Sequence, residues 1–244
     1  MHLLKKSFIL LSILAFTLTS LSSCAQQSDV NHVDSPTFAD IISKNDGIIL
    51  DVRTTQEFAQ GHIEDATLIS TNDPQFVSKI NLLQKDKAIY VYCLTGSRSN
   101  AVARYMYKNG FTNVYNLKRG VMEWQRYGYA LTKSSAPSAQ TAKTYNSTEF
   151  NDLLFSSELV LIDFHAPWCA PCKKMAPVVD QLKAEYINQA VVEKIDVQAN
   201  KSLQTTFNIE SIPGLVLLKN GKEVWRHTGV IEYDELSKII EKYL

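Results

Sequence analysis

The chain has 244 residues, 45% hydrophobic and 20% charged, with 25 basic and 25 acidic side chains. That length accommodates two domains, each with a core of its own. The balance of charge lacks the Lys and Arg excess of a nucleic-acid surface, so no nucleic-acid partner is expected.

Lys5 and Lys6 precede the apolar run FILLSILAFTLTS, a leader pattern rather than a membrane-spanning helix. Leu21-Ser22-Ser23-Cys24 resembles the bacterial lipobox. The resemblance implies that residues 1–23 are a lipoprotein signal peptide and that Cys24 is acylated, anchoring the chain by lipid to a membrane. An ordinary secretory leader with an incidental cysteine is the alternative. Either way the chain is exported, to the periplasm or the cell exterior. Residues 24–34 are polar and read as a tether.

Order is expected from Ser35-Pro36, with Ser as cap and Pro at the first helical position of TFADIISK. GIILDV, ATLIS, AIYVYC and NVYNL read as strands; QFVSKINLL, SNAVARYMYKN and VMEWQRY read as helices, the second stopped by Gly110. Residues 131–144 contain TKSSAPSAQTAKT, small and polar without periodicity, and read as a linker. A second alternation follows: STEFNDLLF helical, LVLIDF a strand, CKKMAPVVDQLKAEYI a helix kinked at Pro177, and AVVEKIDV a strand. SLQTTFN is a helix, GLVLLKNGKEVWRH a hairpin turning at Asn220-Gly221, and YDELSKIIEKYL a last helix. The alternation predicts an α/β protein of two domains, at 35–130 and 145–244, whose different element orders exclude a duplication.

Three cysteines remain after Cys24: Cys93, Cys169 and Cys172. An odd number in an oxidising compartment points to reactivity rather than to a stapled scaffold. No second CxxC or His pair completes four ligands, so no metal is expected. No flavin or nicotinamide motif is visible either, so no cofactor is expected.

Cys93 ends a strand and precedes a helix, the crevice where open α/β sheets bind ligands. The amides of Leu94, Thr95, Gly96, Ser97, Arg98 and Ser99 can curl around its sulfur, and Arg98 adds positive charge. Asp51-Val52-Arg53, Glu57-Phe58, Gly61-His62-Ile63, CLTGSRS and GFTNVYNLKRGVMEW together resemble the rhodanese family, over roughly residues 35–128. Arg119 departs from the family's usual first Gly before Gly120. The resemblance implies a parallel-sheet domain in which Cys93 takes sulfur from a sulfane donor, thiosulfate or a persulfide, and passes it on. Arg98 and the loop residues Leu94, Thr95, Gly96, Ser97 and Ser99 would hold the substrate. The loop encloses four residues between Cys93 and Arg98, whereas the related phosphatase loops enclose five. Asp51, Arg53, Glu57 and His62 read as braces for the loops rather than as groups acting on substrate.

Cys169 likewise stands where a strand gives way to a helix, with its thiolate favoured by free amides and the macrodipole. Cys172, one turn on, is placed to resolve a mixed disulfide. FHAPWCAPCK resembles the thioredoxin motif, and the likeness runs over roughly residues 145–244, implying a mixed-sheet domain. It implies Asp163 as the buried acid serving Cys172, with Lys194 as its companion. It also implies Ile212-Pro213 as the cis-proline site where client strands pair, and Trp168 as a contact residue. His165 replaces the usual aromatic and Gly214 the usual Thr; His165 could tune Cys169 or be an ordinary surface imidazole. Ala170-Pro171 favours reductase over oxidase.

The two resemblances imply an exported thiol–disulfide oxidoreductase joined to a sulfurtransferase domain. Cys93 would form a persulfide, and the Cys169/Cys172 dithiol would reduce it or client protein disulfides. A membrane electron donor would then re-reduce the pair. The rival reading makes the rhodanese part a client-docking module for a disulfide reductase.

Overall fold

The computed structural model describes residues 30–44, 47–133 and 142–244. The leader and Cys24 therefore lie outside the described residues.

The N-terminal domain is a five-stranded, all-parallel sheet. Its strands are β1 (Asn31–Val33), β2 (Ile48–Asp51), β3 (Thr67–Leu68), β4 (Ile89–Tyr92) and β5 (Val114–Leu117), in the order β1-β5-β4-β2-β3. The central strand β4 is IYVY, buried on both faces, which is why it reads as a continuous apolar run. Side chains alternate along it. Ile89, Val91 and then Cys93 join the cluster holding Ile80 of α3 (Phe76–Asn81) and Val102 and Met106 of α4 (Ser97–Lys108). Tyr90 and Tyr92 join the opposite cluster, with Phe38 of α1 (Ser35–Lys44) and Trp124 of α5 (Gly120–Arg126).

Sequence and structure differ at the edges of this domain. The stretch read as a tether contains β1, which pairs with β5 through Asn31↔Tyr115 to Val33↔Leu117. Three polar-leaning residues give no periodicity, and their pairing comes from the sheet edge. The cap of α1 is Asp34, whose Oδ1 accepts from the Thr37 N–H at 3.0 Å; Ser35 instead donates to Glu123 and ties α1 to α5. A further helix, α2 (Thr55–Gln60), rests on a capping box between Thr54 and Glu57. The linker is shorter than its composition predicts. Thr132 exchanges both backbone hydrogen bonds with His62, at 2.8 and 2.9 Å, and the Lys143 carbonyl accepts from Asn200.

The C-terminal domain has a mixed sheet in the order β7-β6-β8-β9. Strand β6 (Leu159–His165) is parallel to β7 (Val191–Asp196) and antiparallel to β8 (Gly214–Lys219), which pairs with β9 (Lys222–Thr228). Asn220 and Gly221 turn the hairpin with φ of 50° and 73°, the two positive values a tight two-residue turn requires. Along β6, Leu159 and Leu161 face Met175, Val179 and Leu182 of α7 (Ala170–Glu185) and Leu236 and Ile240 of α9 (Tyr233–Tyr243). Val160, Ile162 and Phe164 face the other way, toward Phe150 of α6 (Ser147–Leu154) and Leu203 of α8 (Lys201–Thr206). Helix α7 continues through Pro177. The second cluster does not stop at the domain boundary: Leu82 and Leu83 share it with Trp168, Cys169 and Ile212.

Candidate active site

The first centre is built by the turn from β4 into α4. Gly96 caps α4 with φ 94°, and a methyl group there would stand 2.0 Å from the Lys118 carbonyl oxygen. Only glycine lets the loop close against the segment after β5. Closure turns the Gly96 N–H onto Cys93 Sγ at 3.1 Å, and the Ser99 hydroxyl donates to the same sulfur at 3.4 Å. From above, Val121 and Met122 donate their N–H groups to the Cys93 and Leu94 carbonyls. Cys93 is the free cysteine of the described residues and is 0% exposed. Burial pushes its thiol pKa up, but the Ser99 hydroxyl and the amides of Ser99, Thr95 and Gly96 together outweigh it, and the net shift is downward.

Arg98 does not turn to the sulfur. Its guanidinium makes a two-pronged bond to Glu57, at 2.6 and 2.9 Å. That bond holds the Glu57 carboxyl down at about 2, burial opposes it, and the Thr54 amide and hydroxyl assist. The other motif residues are engaged with the protein itself. Arg53 grips Asp51 at 2.6 Å and the Gly61 carbonyl at 2.7 Å, and His62 Nδ1 lies 3.0 Å from the Phe58 carbonyl. Leu94 is exposed and Ser97 starts α4.

The second centre is the start of α7. Cys169 caps the helix and Cys172 lies one turn on; the two form a disulfide, with the Cys172 N–H on Cys169 Sγ at 3.1 Å. The pair is 1% and 4% exposed. Asp163 stands on β6 facing the α7 side, 1% exposed, with Oδ1 unpartnered among the described residues. Burial raises its pKa to about 7, against a downward pull from Lys194. Lys194 is in register with Asp163 on β7, yet its ammonium pairs with Asp180 at 2.5 Å. His165 is half-buried, and burial lowers its pKa against an upward pull from Asp196, which favours the neutral imidazole. The Ile212–Pro213 bond is cis, and the Gly229 N–H donates to the Pro213 carbonyl at 2.8 Å. Trp168 is buried and donates through Nε1 to Gln198 at 2.6 Å.

Several residues around the second centre come from the first domain and carried no signal in sequence. Thr67, Leu82 and Gln84 all hydrogen-bond to the C-terminal domain. Only the consecutive Leu82-Leu83, one apolar position more than an amphipathic helix face needs, hints at a second surface to cover. Among the described residues no cluster of His, Cys, Asp and Glu is arranged to hold a metal ion.

Comparison with known proteins matches residues 35–127 to the family model for the rhodanese-like domain and residues 141–242 to that for thioredoxin. The chain is 35% identical to thioredoxin from Haemophilus influenzae over 100 residues, 41% of this chain and 94% of that protein. It is 37% identical to thioredoxin 1 from Synechococcus elongatus over 103 residues, 42% of this chain and 96% of that protein. To the chloroplastic M-type thioredoxin of Spinacia oleracea it is 35% identical over 120 residues, 49% of this chain and 66% of that protein. With both domains in one polypeptide, the protein is a thiol–disulfide oxidoreductase with a sulfurtransferase-like domain. Through residues 141–242 the chain belongs to the thioredoxin family, and it carries a rhodanese-like domain ahead of that part.

Proposed function

We propose that the protein is an exported sulfurtransferase and disulfide reductase in one chain, anchored by lipid at Cys24. The observation that carries this reading is the Cys93 sulfur cradled by the Gly96 amide and the Ser99 hydroxyl, in the same chain as a redox-active pair. The Cys93 thiolate attacks the outer sulfur of thiosulfate. The bond to the sulfonate sulfur breaks, sulfite leaves with the electron pair, and a persulfide stays on Cys93. The amides of Thr95, Gly96 and Ser99 face the anionic sulfur, while Arg98, paired with Glu57, braces the start of α4.

The Cys169 thiolate then attacks the outer sulfur of that persulfide and restores the Cys93 thiolate. Cys172 attacks Cys169 Sγ and expels hydrosulfide, leaving the Cys169–Cys172 disulfide. Asp163, with a pKa of about 7, exchanges a proton with Cys172 as it is activated, and Lys194 biases that carboxyl. A membrane electron donor returns two electrons to the pair. Sheet register supports the handover. Thr67, which touches Ala170, aligns with Leu50, and Leu50 with Val91, two residues short of Cys93. In-register side chains share a face, so the two centres flank one side of the sheet, with Thr67 and Cys93 about 10 Å apart across it and about 7 Å along it.

Mass spectrometry after thiosulfate treatment tests the first step, and a gain of one sulfur on Cys93 is expected. Sulfide release from thiosulfate with reductant tests the second; unchanged release by Cys93→Ser refutes the handover. Absence of any persulfide would favour the other reading, a disulfide reductase whose first domain docks clients.

A further inference from the structure

The face of the C-terminal domain that carries the dithiol is covered by the N-terminal domain. Ile212 donates its backbone N–H to the Leu82 carbonyl at 3.0 Å. The Ala170 N–H, beside Cys169, donates to the Thr67 hydroxyl at 3.1 Å, and Gln84 Nε2 donates to the Thr228 carbonyl at 3.4 Å. Lys174 pairs with Asp65 at 2.8 Å, and the Lys79 ammonium lies 5.7 Å from the centre of the Trp168 ring. Gln198, which takes the Trp168 N–H, also bonds to Gln75. A methyl group on Gly229 would stand 3.0 Å from Gln84 Nε2, so the missing side chain is what admits Gln84.

A main-chain hydrogen bond flanked by buried apolar side chains combines the two parts of peptide recognition, backbone for affinity and pockets for selectivity. Leu82 and Leu83 supply those side chains, at 7% and 1% exposure. We propose that Leu82-Leu83-Gln84 is a resident occupant of the surface on which the dithiol receives protein clients, and that a client must displace it before Cys169 can attack. The occupant describes its competitor. Leu82 ends α3 in helical conformation, φ −86° and ψ −3°, so a suitable client presents a helix-end or turn segment with adjacent apolar side chains, a carbonyl available to Ile212, and an acidic group within reach of Lys174.

Among the described residues, these directional contacts are single hydrogen bonds, an exposed ion pair and a cation–π contact, which a competing segment can replace one for one. Because the occupant is in the same chain it acts at an effective concentration of about millimolar, and weak client segments lose to it. Apparent client affinity falls in proportion to the undocked fraction.

The test uses the full chain, reduced and freed of reductant, with two changes at one position. In the docked state Gln84→Glu sets a carboxylate against the Thr228 carbonyl, and Gln84→Arg overfills the space above Gly229. Opposite charges with a common outcome separate undocking from an electrostatic effect on the sulfur. Two rates are read: alkylation of Cys169 by iodoacetamide, followed on its peptide by mass spectrometry, and reduction of insulin disulfides. Both variants are expected to raise both rates on the order of tenfold, with circular dichroism unchanged. Rates within twofold of the unaltered chain in both variants overturn the proposal, as does faster alkylation without faster insulin reduction. Alkylation needs no sulfur on Cys93, so a failure of sulfur transfer leaves this test intact.

Discussion

Asp163→Asn is the substitution whose consequence follows most directly from the geometry. The carboxyl is 1% exposed, has an unpartnered oxygen, and titrates at about 7 instead of the ordinary 3.8. A carboxyl raised in the folded state binds its proton there while the unfolded chain has already released it. Stability is therefore greatest below about pH 4 and is lost as pH rises through 7. With those two pKa values the loss from this group is about 2 kcal/mol by pH 5 and about 4 kcal/mol by pH 8. Asparagine is isosteric and does not titrate. The variant should gain on the order of 2–3 kcal/mol on the native chain between pH 5 and pH 8. The assay is urea unfolding of the oxidised full chain at both values, following the transition that carries Trp168 and Trp225. An Asn-minus-Asp difference that is the same at pH 5 and pH 8 would refute the assignment of the raised pKa to Asp163.

Three further outcomes are expected. Glu57→Gln removes the two-pronged bond to Arg98 and should cost about 1 kcal/mol at pH 7 after solvent screening. Because Glu57 is depressed to about 2, that difference is full above pH 4.5 and fades as pH falls toward 2, which acid unfolding curves of the two proteins would show. Ser99→Ala takes the hydroxyl donor from Cys93 Sγ, so its thiol pKa moves up and the pH profile of persulfide formation shifts to higher pH. An unshifted profile would mean the amides suffice. Gly96→Ala forces a side chain onto the Lys118 carbonyl at φ 94° and should destabilise the first domain by about 3 kcal/mol or more. Differential scanning calorimetry should then show one transition lowered and the other retained.

Local pattern carried most of the fold because the strands are buried and the helices amphipathic. GIILDV, AIYVYC and LVLIDF are long apolar runs; the structure puts β2 and β4 within the first two, and β6 covers the third and one residue more, His165. ATLIS shrinks to a two-residue β3, since Thr67 and Leu68 pair on one side only, with β2. The strand β1 escaped notice because Asn31-His32-Val33 pairs through backbone, which composition does not record. Helix α2 was legible in principle from Thr54 and Glu57, three apart, but its six residues are too few for periodicity. At the sites, spacing and neighbours marked the three sulfurs, whereas the partner of a long cation was not readable. Arg98 went to Glu57, 41 residues away, and Lys194 to Asp180. The cover over the dithiol was invisible because it joins residues from separate domains.

Strand β1 and strand β3 occupy opposite edges of the first sheet, four strand spacings or about 19 Å apart. Under the proposed anchor at Cys24, seven residue steps lead to Asn31, a leash of at most about 25 Å. The chain would then be tied to the lipid at its β1 edge, with the dithiol beside the opposite edge, β3, and free to swing outward. Such a stance presents the redox pair to freely diffusing proteins more readily than to a donor embedded in the same bilayer. Re-reduction would then depend on a partner whose thiol-bearing part projects a comparable distance from the membrane.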